Sequence, residues 1–161
     1  MATSEVERIR RQLRNAFEGG AWHGPAVWEI LGDVTAEEAA GRPLADAHSV
    51  WEIVLHVATW LDAVRRRLGG EAYVPSEAEN WPSVPEETSD AAWAGARDRL
   101  SAAYEALRQA LEDVGDADLD RPVAGQAYDV YFMLHGVVQH TLYHAGQLMI
   151  LKKAVRSPAG T

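Results

Sequence analysis

Cysteine is absent from this chain of 161 residues. That absence removes disulfide staples, thiolate metal ligands and a cysteine nucleophile together, so any metal must be held by His, Asp or Glu. Long apolar runs are also missing. The longest nearly apolar stretches reach about a dozen residues and are broken by His, Gln or Glu, against the roughly 20 that a membrane-crossing helix needs, and no membrane association is expected. Basic charge is scarce: 15 Lys and Arg stand against 24 Asp and Glu, a formal net charge of -9. A phosphate backbone would repel such a chain, so nucleic acid is not an expected partner. There is no nucleophile-elbow serine, no G-x-G-x-x-G fingerprint and no P-loop, which leaves nucleotide-cradling chemistry without support. The opening residues Met1 to Arg8 place acids where a secretory signal carries a basic patch and an apolar run; a cytoplasmic location is the expectation.

What is present is helical patterning. Hydrophobic residues at 47% and charged residues at 24% are ordinary globular proportions, and the length suits one domain. That domain is expected over residues 1–155, with a disordered tail over 156–161. Val6, Ile9, Leu13 and Phe17 recur at intervals of three and four and define a first amphipathic helix. It should break near Gly19-Gly20 and restart at Gly24-Pro25, carrying Trp28 and Leu31 inward. Thr35 and Glu38 form a capping-box pattern over a short connector that Gly41-Arg42-Pro43 stops. Ser49 and Glu52 form another, which predicts a helix over 50–68 ending at Gly69-Gly70. The run Arg65-Arg66-Arg67 at its end reads as positive charge complementing the helix dipole. A long loop with Pro75, Pro82 and Pro85 follows, in which Trp81 is the candidate for a lid. The row Trp93, Ala96, Leu100, Ala103, Leu107, Ala110 and Val114 predicts a helix over 89–114, and Asp129 is the expected N-cap of a last helix over 130–155. The fold class is therefore all-α, a four-helix bundle.

The chemistry gathers in His140-Thr-Leu-Tyr-His144. Residues at i and i+4 stand one above the other on a helix, so both imidazoles can reach one ion. Met133, Val137, His140, His144, Gln147 and Leu151 follow spacings of 4, 3, 4, 3 and 4, a row that faces a bundle interior. Ile53, His56 and Trp60 form a similar row on the second helix, which offers a third imidazole. A buried His can simply donate to a carbonyl, and three could form a polar interior network instead of a metal site; both readings stay open on patterning alone. Gln147, one turn beyond His144, is a candidate to orient a ligand or a bound water, and Trp60 to line a pocket. His23, in Ala-Trp-His-Gly-Pro, either edges a pocket or supports a turn. Trp51, Trp60 and Trp93 are most simply core aromatics. His135 lies about 140° around the helix from His140 and is expected to pack elsewhere, while His48 reads as a solvated loop residue.

The segment from Ser49 through His56 to Trp60, together with His135-Gly-Val-Val-Gln-His140-Thr-Leu-Tyr-His144-Ala-Gly-Gln147, resembles the DinB/YfiT-like family of bacterial metalloproteins, as does the Trp-His-Gly-Pro segment. The resemblance implies a four-helix bundle of up-down-down-up topology. It also implies a divalent transition metal, zinc or nickel, held by His56, His140 and His144, and a homodimer. Some members of that family are S-transferases or isomerases that use bacillithiol, mycothiol or glutathione. The expected function is thus a metal-dependent transferase acting on a small-molecule substrate with a low-molecular-weight thiol as cosubstrate. The alternatives are a metal-dependent hydrolase and a non-enzymatic, stress-related metal-binding bundle. No residue is assigned a catalytic role from the sequence.

Overall fold

Seven α-helices and no strand form among residues 3–157, the part of the chain that the computed structural model describes. Helix α1 (Glu5–Glu18) starts where Ser4 accepts a hydrogen bond from the Glu7 amide, and it buries Val6, Ile9, Leu13 and Phe17. It stops at Gly19 and Gly20, whose φ values of +130° and +71° suit glycine alone. The chain restarts as α2 (Val27–Leu31), which buries Leu31 and leaves Trp28 packed at the edge of the core. The expected break in the first helix is present. Helix α3 (Ala36–Ala40) is held by the Thr35–Glu38 capping box.

Helix α4 (Val50–Leu68) begins at the reciprocal Ser49–Glu52 box and is the central element, packed against both later long helices. The long connection that follows contains a single turn, α5 (Glu77–Asn80), where only loop was expected. Its signal lies in the sequence: Ser76 and Glu79 cap it reciprocally. Helix α6 (Asp90–Ala110) buries Trp93, Ala96, Leu100 and Leu107 from the expected row and adds Tyr104. It ends at Ala110 and not at Val114, because the chain tightens into a 3₁₀ turn over Leu111–Asp113. Arg10 of α1 donates to the carbonyls of Leu111 and Val114 there, satisfying the helix end.

Helix α7 (Val130–Arg156) starts where Asp129 accepts from the Phe132 amide, as its N-cap position predicts. It packs on α1 and α4, and one contiguous cluster of buried apolar side chains runs through the four long helices. The tail was expected over residues 156–161. Arg156 is the last helical residue, held by ion pairs to Asp33 and Glu38, and residues 158–161 of that tail lie outside the described residues.

Candidate metal centre

Helices α4 and α7 pack face to face, and the row Met133, Val137, His144 and Leu151 is buried with His140 half-buried among them. His56 is buried on α4. The three rings meet edge on. His56 Nε2 lies 3.0 Å from His140 Nε2, and His144 Nε2 lies 3.1 Å from the same atom.

The other ring nitrogens fix what these edges present. His56 Nδ1 is 2.7 Å from the Asn80 carbonyl oxygen and donates to it. His144 Nδ1 donates to Gln147 Oε1 at 2.6 Å. A neutral imidazole carries one proton, so both of these rings turn an unprotonated Nε2 toward His140. His140 has one proton to offer and two lone pairs facing it, and its own Nδ1 is buried without a partner. Hydrogen bonding among the rings therefore leaves at least one convergent lone pair unmatched. A cation at the meeting point accepts all three and lets His140 keep its proton on Nδ1, so the donor set fits a metal ion. Among the described residues the cluster contains no carboxylate. An all-imidazole set of three suits a first-row divalent ion and leaves coordination positions for other ligands.

Burial keeps these rings neutral, the form that ligates. Desolvation, with the neighbouring His144 and His56 adding repulsion, lowers the pKa of His140 to about 3. Burial lowers that of His144 to about 4 against the opposing pull of the Gln147 hydrogen bond. His56 is lowered mainly by burial, and its bond to Asn80 works the other way.

The α5 segment closes one side. Asn80 uses its carbonyl on His56 and its side-chain oxygen on Trp60, whose Nε1 donates to it at 2.7 Å. Trp81 lies flat on His56, with ring centroids 3.9 Å apart and planes 9° apart. Its other face carries His48 at 3.5 Å. Trp81, expected as a lid, thus covers His56. His48 is exposed as expected, but it is ordered by that stack and by Glu52, 3.6 Å away. A cavity of about 430 Å³ opens beside the three histidines, lined also by Trp60, Arg67 and Tyr128.

The site brings together His56, His140, His144, Gln147 and Trp60 of the residues expected from the sequence. His23 is not among them: it is exposed in the turn between α1 and α2, and it does not line the cavity. His135 packs on Tyr131 and sits 3.8 Å from Glu5, away from the centre. Asn80, Arg67 and Tyr128 were not found from the sequence. The Ser76-x-x-Glu79 box places Asn80 at the end of a helical turn, but nothing local ties that carbonyl to His56. Arg67 sits in a run of three arginines that reads as surface charge.

Comparison with known proteins gives one family: a model of the DinB superfamily matches residues 21–148. No curated protein and no solved structure gives a match.

Proposed function

The chain belongs to the DinB superfamily, and from that premise we propose that it is a metal-dependent transferase using a low-molecular-weight thiol, with zinc or nickel as its ion. One observation carries this reading: three Nε2 atoms converge without enough protons to satisfy one another, at the wall of a cavity large enough for a small molecule. His56, His140 and His144 would hold the ion. When bound, a divalent ion supplies Lewis acidity that keeps a coordinated thiol deprotonated at neutral pH.

The chain's own residues do the rest. Asn80 and Gln147 fix ring orientation and leave each Nε2 free as a donor atom. Trp81 covers one face of His56, and Trp60, Val64, Met133 and Val137 give the cavity a mostly apolar wall that limits water around a nucleophile. Among the described residues no carboxylate lines that cavity, so no carboxylate base for hydrolysis is supplied there, which favours transfer to an electrophile over hydrolysis. The test is spectroscopic. Protein loaded with cobalt is titrated with bacillithiol, mycothiol and glutathione, with His144→Ala as control. A thiolate-to-metal charge-transfer band with one of them, absent in the variant, is the expected result; no change with any thiol in fully loaded protein rejects the transferase reading in favour of the hydrolase or the non-enzymatic bundle.

The homodimer that the resemblance implies is also proposed here. Its support is Phe132, Tyr143 and Ile150, exposed along one side of α7, the first two at the rim of the cavity, since exposed large apolar side chains on one face mark association surfaces.

A further inference from the structure

Arg67 is 4% exposed, yet among the described residues it has no carboxylate partner. Its neighbours in the sequence do: Arg65 pairs with Asp62 and Arg66 with Glu71. Arg67 instead turns inward. Its Nε donates to the Tyr73 carbonyl at 2.8 Å and its Nη1 to Tyr128 Oη at 2.8 Å, while Nη2 has no partner among the described residues and the side chain lines the cavity beside the histidines. A guanidinium cannot shed its proton, and a buried charge is costly unless an opposite charge meets it. The cavity wall supplies none.

Tyr128 adds a second group. Its hydroxyl oxygen accepts from Arg67, which leaves its own O–H as a donor at the same cavity wall. Trp60 connects the two ends, its ring 5.5 Å from Arg67 Cζ and 5.8 Å from the His140 ring. One end of the cavity therefore offers cationic and hydroxyl donors, the other offers three imidazoles, and the wall between them is apolar.

We propose that Arg67 and Tyr128 form a carboxylate-recognition end of this cavity, so that the molecule bound against the histidines is a small, largely apolar monocarboxylate. A planar fork opposite a planar carboxylate is the natural match for one guanidinium. A phosphate dianion would ask for a second cation or free helix-terminal amides. The nearest candidate, the first turn of α7, is already occupied, because Asp129 accepts from the Phe132 amide. The assignment of the reacting end to the histidines rests on the proposed function; the Arg67 end stands on its own geometry.

The experiment measures binding, not turnover. The full chain, zinc-loaded and after chelation, is titrated with 4-phenylbutyrate and with its neutral amide, followed by tryptophan fluorescence and calorimetry. The carboxylate should bind at least about tenfold tighter than the amide in both forms, as a charge-assisted pair predicts. Arg67→Met should abolish that preference, Arg67→Lys should retain part of it, and Tyr128→Phe should narrow it. If Arg67→Met fails to fold by circular dichroism, the Tyr128→Phe variant and the wild-type pair of probes carry the test. Equal affinity for the two probes, or no saturable binding of either up to its solubility, overturns the proposal. So does a preference seen only with zinc and surviving Arg67→Met, which would place the carboxylate at the metal. Failure of the metal reading looks different: a chain that retains no zinc but keeps an Arg67-dependent preference loses the transferase and keeps this site.

Discussion

His140 stands between two rings whose Nδ1 atoms are already committed, and that position gives the three histidines one shared expected phenotype. Replacing His56, His140 or His144 by Ala should strip most bound metal after dialysis, while His135→Ala should retain it, since His135 faces Glu5 and Tyr131. Elemental analysis of the four variants checks this; equal content in all would reject the assignment. Gln147→Leu removes the acceptor that orients His144 and should weaken metal affinity about tenfold to hundredfold without removing a ligand. The same burial sets a pH dependence. The folded-state pKa values of His140 and His144, about 3 and about 4, lie below the ordinary value of 6.5. An unfolded chain therefore takes up protons that the folded one refuses, and the contribution of neutral burial is fully present above 6.5 and lost as pH falls toward those values. Urea unfolding of metal-free protein should show stability falling from pH 7 to pH 5, and His140→Ala should flatten that slope. A stability that rises on acidification over the same range would contradict the burial of these rings.

Two capping serines separate global from local stability at the scale of elements. Ser49 starts α4, which is buried along most of its length. Ser49→Ala should therefore lower the whole protein's stability by about 1 kcal/mol, read from the urea midpoint. Ser76 starts α5, a single turn with no buried residue, so Ser76→Ala should leave that midpoint nearly unchanged. What α5 does is present the Asn80 carbonyl to His56 and carry Trp81 onto the same ring. Loosening it should show as severalfold weaker metal binding and as faster amide exchange in this segment alone. A global loss as large as that of Ser49→Ala would show that the segment belongs to the cooperative core.

For the whole molecule, the α4–α7 interface is sequestered, while one side of α7 carries exposed apolar side chains from the cavity rim to Ile150. Among the described residues no helix is long and apolar enough to cross a membrane. The exposed Phe132, Tyr143 and Ile150 are expected to meet a second copy, so light scattering at micromolar concentration should give a dimer mass and Ile150→Glu should lower it toward a monomer. A monomer in the wild type rejects the dimer. The two ends of α7 have different duties: its first turn borders the cavity through Phe132 and Met133. Its last is tied to Asp33 in the α2–α3 connector by Lys152 and Arg156, and to Glu38 of α3 by Arg156. Those contacts hold the Asp33 carboxyl near 2, chiefly through hydrogen bonds from Lys152 and Arg156.

The helix starts at Thr35, Ser49 and Asp129, the break after Glu18 and the inward row of α7 were all determined by the sequence, because caps, glycine and hydrophobic period act within one or two turns of chain. The same locality made His140 and His144 legible as a pair, and His56 as a third candidate. Tertiary structure alone decided the rest. Asn80 reaches His56 across 24 residues and Arg67 reaches Tyr128 across 61, separations over which no periodicity carries information. His48, read as a solvated loop residue, became one face of a stack because Trp81 folds back between it and His56. Arg67 had the sequence signature of surface charge and became buried because the end of α4 turns that one arginine of the run toward the cavity while its neighbours find carboxylates outside. Local sequence specifies which side chains share a helix face; which faces meet, and what then lies unpaired between them, is fixed only by packing.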